Sequence, residues 1–224
     1  MARKLIVFDM DGVLVDPTNS YRMTVVKTVA GFGGEITFEQ IEDYKNKGGW
    51  NNDWALTHQI LRDQGIRDVR YKDVQTAFQF LFDGPHGYGM QEEWLVGDGF
   101  FDRLTAKDHL LGIFTGRLET DANNTLSRFA PSVNFAPRIC AEHVENGKPA
   151  PDGLLKIQQQ HPNEELVFLG DTVDDARSAR LAGVPFYGVA KQNHPRRADL
   201  IRLFEQEQAV AILENVNELE DHLR

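Results

Sequence analysis

From residue 107 onward the chain repeats one pattern: a short apolar run, a polar or glycine-containing turn, and a stretch with helical spacing. The runs lie in "HLLGIFTGR", "PRICAEH", "ELVFLGDT", "VPFYGVA" and "AVAIL", and helical spacing falls over about 118–129, 152–160, 174–182, 196–207 and 216–223. Gly183 supplies a stop for the third of these helices. Strands alternating with helices pair in parallel, so the pattern predicts an α/β fold. Its core is a Rossmann-like parallel sheet with helices on both faces.

The residues between about 17 and 98 behave differently. After "LIVF" at residues 5–8 no further convincing strand appears, and the apolar spacing is helical. Thr37 and Gln40 have capping-box spacing ahead of "IEDYKNK". Asp53 to Gln64 reads as a helix stopped at Gly65, and Tyr71 to Phe82 as a helix ending before "DGPHGYG". The organisation expected is a core of residues 1–16 and 99–224, with an all-helical insertion at 17–98 after the first strand.

A net charge of -10 works against a nucleic-acid partner, which needs a basic face to neutralise phosphates. Small polar molecules fit better. A carboxylate cluster still attracts anions if a divalent cation sits within it. "MARKLIVFD" has too short an apolar run for a signal-peptide core, and no stretch approaches the ~20 apolar residues of a membrane span. Cys140 is the sole cysteine, so no intrachain disulfide forms, and a reduced cytoplasmic setting is expected with Cys140 an inert buried thiol.

The opening strand ends in "DMDG". In an extended chain residues i and i+2 share a side, so Asp9 and Asp11 project together from its carboxyl end. "LLGIF" is followed by Thr115, Gly116 and Arg117, and "ELVFLG" by Asp171, Thr172, Val173, Asp174 and Asp175. Carboxyl ends of strands form the ligand crevice of open α/β sheets, so three strand ends converge on one region. Lys148, held extended by Pro149, precedes a helix and can face the same crevice. Taken singly, each has an ordinary reading: a turn, a cap, a solvated lysine, acids suited to a helix dipole. The specific signal is the ordered set of acid pair, hydroxyl, lysine and second acid pair.

In that order and spacing, "FDMDGVLVD", "FTGR", Lys148 with Pro149, and "LGDTVDDARSA" resemble the four motifs of the haloacid dehalogenase superfamily of phosphatases, in its phosphoglycolate phosphatase and beta-phosphoglucomutase-like branch. The resemblance spans the whole chain, and the helical segment is similar to that superfamily's small helical cap. It implies Asp9 as the nucleophile that forms an aspartyl-phosphate, and Mg²⁺ held by the side chains of Asp9 and Asp171 and the main-chain carbonyl of Asp11. Asp11 would be the general acid and then the general base, which requires a pKa raised enough to hold a proton. Neighbouring carboxylates push that way, and Mg²⁺ pushes against it. Thr115 and the Gly116 amide would bind phosphoryl oxygens, and Lys148 would neutralise the nucleophile and the transferring group. Asp175 would support the metal or orient the lysine, with Asp174 the weaker competitor.

The cap loop "YKNKGGWNNDWALTHQIL" resembles the family's specificity loop, which implies substrate contacts from Lys47, Gly49, Trp50 and Asn51. Trp54 reads instead as a core aromatic, and Arg117 either as a substrate contact or as an ordinary surface arginine. The seven histidines lack metal-ligand spacing, and His58, His86 and His109 read as surface or packing residues. The partner expected is a small phosphate ester, with neither nucleic acid nor membrane. A sugar phosphomutase of the same motifs is the principal alternative. A dehalogenase is disfavoured by Asp11, and a receiver domain by Lys148 preceding Asp171.

Overall fold

The computed structural model describes residues 3–223; Met1, Ala2 and Arg224, the outer limits of the expected core, lie outside the described residues. The first strand, β1 (Lys4–Phe8), is buried along its whole length. Its side chains alternate between two apolar clusters: Ile6 and Phe8 belong to one, Leu5 and Val7 to the other. That two-residue period makes β1 a strand with a core on each face, the condition of an interior strand in a parallel sheet.

After a two-residue strand β2 (Val15–Asp16) and one turn of wide helix at Thr18–Arg22 come α1 (Met23–Gly31), α2 (Phe38–Lys47), α3 (Asp53–Asp63) and α4 (Tyr71–Asp83). These four helices enclose a third apolar cluster that includes Val25, Ile41, Leu56, Ile60, Val74 and Phe78. The Thr37 capping box forms as read, with its side chain accepting from the Gln40 amide. Asn52 caps α3 by accepting from the Ala55 amide.

The chain returns through β3 (Glu93–Trp94), which pairs antiparallel with β2. This small ribbon corrects the expectation of no further strand before residue 98. Two residues are too few for an alternating pattern to show in sequence. The remainder runs α5 (Phe100–Ala106), β4 (Leu110–Phe114), α6 (Glu119–Phe129), β5 (Phe135–Ile139), α7 (Asp152–Gln160), β6 (Glu165–Gly170), α8 (Val173–Ala182), β7 (Phe186–Val189), α9 (Arg197–Gln206), β8 (Ala211–Leu213) and α10 (Leu219–His222). The helix expected over 216–223 divides into a 3-10 turn at Val216–Glu218 and the short α10.

The main sheet is six-stranded, in the order β5-β4-β1-β6-β7-β8, with every pairing parallel. β1 therefore lies between β4 and β6, where successive connections leave in opposite directions. That is the topological switch point, where ligands bind in open α/β sheets. Cys140, just beyond β5, is buried, and burial pushes its thiol up to about 11, which fits the inert reading. Among the described residues no helix is long and apolar enough to cross a membrane.

Candidate active site

The sheet delivers Asp9, Thr115 and Asp171 from the carboxyl ends of β1, β4 and β6. Main-chain hydrogen bonds continue the ladder one residue beyond the strands: the Asp9 amide donates to Leu169 O at 2.8 Å and the Thr115 amide to Ile139 O at 3.0 Å. Both positions are thus fixed by backbone. Gly12 turns the chain away at φ 73, and any Cβ there would lie 1.8 Å from Asp171 Oδ2. The glycine of "DMDG" serves both the left-handed turn and the close approach of Asp171.

Lys148 is fully enclosed, with Nζ 2.9 Å from Asp9 Oδ1 and 2.6 Å from Asp175 Oδ1. Burial works to lower its pKa, but Asp175 and Asp9 overcome that and raise it, so the ammonium stays charged. Asp175 is also committed on its other oxygen. Oδ2 accepts from the Thr172 hydroxyl at 2.6 Å and the Thr172 amide at 3.0 Å, within the capping box that starts α8. Asp175 therefore orients the lysine and ties it to a helix N-terminus.

Carboxylate oxygens of Asp9, Asp171 and Asp175 lie within 4.8 Å of one another. Burial, with repulsion from Asp175 and Asp11 opposing the pull of Lys148, raises Asp9 to about 7. Burial and the charges of Asp175 and Asp9 raise Asp171 well above the carboxylate range. Asp171 Oδ1 is buried with no hydrogen-bond partner. An orphaned carboxylate oxygen among mutually repelling acids is what a bound cation would relieve, and an all-oxygen donor set suits a hard one.

Asp11 departs from the expected behaviour. Arg117 donates to it from Nε at 2.9 Å and from Nη2 at 2.7 Å. Although burial works to raise the Asp11 pKa, the Arg117 charge and hydrogen bonds hold it below the usual value. The raised pKa that proton donation requires is thus absent from this arrangement. Arg117 itself corrects the surface alternative: its side chain is 1% exposed, and Nη1 lies 2.7 Å from the buried Glu92. The Thr115 hydroxyl accepts from the Arg117 amide at 3.2 Å, leaving its own proton free to donate.

A cavity of about 80 Å³ opens over Asp9, Asp11 and Asp171, closed on its far side by Arg22, Lys45 and Asn51. Asn51 and Gly116 both line it and lie against each other, since a Cβ on Gly116 would lie 2.3 Å from Asn51 Nδ2. The other loop expectations are corrected. Lys47 is exposed, with Nζ 4.8 Å above the Tyr44 ring, whereas Lys45 lines the cavity 2.6 Å from Asp53. Trp50 packs edge-on against Tyr44, and Trp54 is the indole that borders the cavity. Gly49 is not a lining residue; its amide donates to both oxygens of Asp174, at 2.8 and 2.9 Å. Asp174 thereby fastens the loop to α8.

Sequence reading missed Tyr21, Arg22, Glu92 and Asp121, which line or support this cavity. Their only local signal is polarity inside otherwise apolar helical spacing. The three histidines singled out in the sequence stay out of the site: His58 bonds to Val69 O, His109 accepts from the Lys4 amide, and His86 is exposed.

The haloacid dehalogenase-like hydrolase family matches residues 6–189, from β1 to the end of β7. The chain belongs to that family. An imidazoleglycerol-phosphate dehydratase of Phytophthora nicotianae is 31% identical over 193 residues, 82% of this chain, yet the chain spans only 42% of that protein's length. A phosphoglycolate phosphatase of Vibrio parahaemolyticus is 21% identical over 192 residues, 83% of each. Among solved structures, a phosphonoacetaldehyde hydrolase-like protein from Oleispira antarctica superposes with a TM-score of 0.79 at 16% identity, covering 99% of this chain and 91% of that one.

Proposed function

We propose that this hydrolase is a Mg²⁺-dependent phosphatase of small organic phosphate monoesters that works through an aspartyl-phosphate on Asp9. One observation carries the reading: Asp9 is held between Lys148 and the orphaned Asp171 carboxylate, at the floor of a cavity lined by both sheet-end and helical-segment residues. The phosphoglycolate phosphatase relatives support the same reaction class.

Lys148 engages Asp9 Oδ1, which favours the ionised carboxylate against burial and its acidic neighbours and leaves Oδ2 to attack phosphorus in line with the leaving oxygen. In this reading the Thr115 hydroxyl and the Gly116 amide donate to phosphoryl oxygens, and Lys148 offsets the developing charge. Asp9 and Asp171, with the Asp11 carbonyl, would hold Mg²⁺, which supplies charge neutralisation for a dianionic substrate approaching a carboxylate. Asp11 carries the proton to the leaving alkoxide and later removes one from the water that hydrolyses the aspartyl-phosphate. For the first of these steps Asp11 must leave Arg117. Residues 17–98 act as the cap, and closure excludes bulk water and admits only small substrates.

The test is inorganic phosphate release from a panel of small phosphate esters, with and without Mg²⁺, beside Asp9→Asn. Turnover that needs both the metal and Asp9 is expected. Activity indifferent to both overturns the mechanism, and isomerised sugar phosphate without phosphate release assigns a phosphomutase instead.

A further inference from the structure

Among the described residues, two acids lining the cavity have no ion-pair partner: Asp171, at the proposed metal site, and Asp121. Arg22 Nε lies 2.8 Å from Glu42, Lys45 Nζ 2.6 Å from Asp53, and Arg117 is forked onto Asp11. Glu92 is shared by Arg117 and Arg128. Asp121, in the first turn of α6, lines the same cavity, is 7% exposed, and accepts from the Tyr21 hydroxyl at 3.3 Å. Among the described residues no cationic side chain pairs with it. Burial, with the charge of Asp83 adding and the charge of Arg117 and the Tyr21 and Gln79 hydrogen bonds opposing, raises it to about 6.

Its surroundings favour a positive charge. Trp54 and Phe78 line the cavity, and aromatic rings attract a cation that reaches their faces. A second cavity of about 230 Å³ is bordered by Asp121, Asp83, Glu92 and Arg128; Glu92 and Arg128 pair with each other, which leaves Asp83 as the further acid near Asp121. The helix dipole of α6 also favours a carboxylate at this position, but only in part offsets the burial of an unpaired charge.

We infer that Asp121 selects phosphate esters whose alcohol carries a protonated amine, by pairing with that cation at the far end of the catalytic cavity. This rests on the phosphatase reading and names its substrate class. An anionic leaving group such as glycolate would meet Asp121 with like charge.

The test uses three esters of equal length: 2-aminoethyl, 2-hydroxyethyl and carboxymethyl phosphate. The wild-type protein is expected to prefer the amine over the carboxylate by about tenfold or more in kcat/KM, the scale of one hydrogen bond between charged groups. Asp121→Asn, which keeps an acceptor for Tyr21, lowers kcat/KM for the amine, raises it for the carboxylate, and so shrinks the ratio by about tenfold. The wild-type ranking stands without any variant. Absence of an amine preference, or an equal loss on all three esters in Asp121→Asn, overturns the inference.

Calorimetric binding of the same esters to Asp9→Asn and to the Asp9→Asn, Asp121→Asn double variant separates the two readings. Amine-selective binding that depends on Asp121, in a protein that releases no phosphate in its wild-type form, sustains the inference and sinks the phosphatase. Phosphate release without that selectivity does the reverse.

Discussion

Arg117 grips Asp11 with both arms of its guanidinium, Nε to Oδ2 at 2.9 Å and Nη2 to Oδ1 at 2.7 Å, across 106 residues of chain. The pair favours the ionised form of the proposed proton carrier and fixes both of its oxygens. Arg117→Lys retains the charge but not the fork. Losing the paired bonds costs about 1–3 kcal/mol of stability, readable by denaturant unfolding. A freed Asp11 has a higher pKa, so the alkaline limb of kcat/KM against pH moves to higher pH in the variant. An unmoved limb would mean that the pair is already broken in the substrate complex.

Metal should act on stability as well as on rate. Asp171 is buried with an orphaned oxygen and repelled by Asp175 and Asp9, so the metal-free protein carries an uncompensated acid. At a hundredfold excess over Kd, Mg²⁺ stabilises by about 2.7 kcal/mol, or roughly 5–10 °C in Tm for a chain of this size. In Asp171→Asn the response to Mg²⁺ is expected to vanish while Tm in chelator rises above wild type. A metal response that survives the substitution would remove Asp171 from the ligand set.

Asp174 and Asp175 stand side by side in sequence and do different things. Asp175 faces Lys148, whereas Asp174 accepts from the Gly49 amide and fastens the loop that carries Asn51. Asp174→Ala is therefore expected to raise KM by roughly three- to tenfold, the scale of a partly solvated charge-assisted bond, with Mg²⁺ affinity unchanged. Weakened Mg²⁺ binding in that variant would place Asp174 at the metal.

What the sequence made legible follows from local rules. Asp9, Thr115 and Asp171 were placed because apolar runs fix where strands end, and the ends of a parallel sheet share one edge. The loop contacts were less accessible. Lys45 and Lys47 both close α2, but two residues turn a helix by about 200°, so one enters the cavity and the other meets solvent. Which of them faces inward depends on how α2 packs against α8, a tertiary fact. Trp50 precedes the Asn52 cap and so shares no helix face with Trp54. Arg117 was undecidable because its partners, Asp11 and Glu92, lie far off in the chain and in different elements.

Asp121 offers a stability test that needs no substrate. Burial and Asp83 raise its pKa from 3.8 to about 6 in the folded protein. Below the unfolded value both states hold the proton and the group is neutral toward stability. As pH rises through this window the unfolded state ionises first, so stability falls and stays lower above about 6. Asp121→Asn abolishes that loss. With solvent screening allowed for, the variant should be more stable than wild type by about 1–2 kcal/mol at pH 7.5 and equal to it near pH 4, in chemical denaturation at each pH. A variant equally or less stable at both would mean that the carboxylate is compensated in the free protein, and would leave no unpaired charge there for a substrate cation to meet.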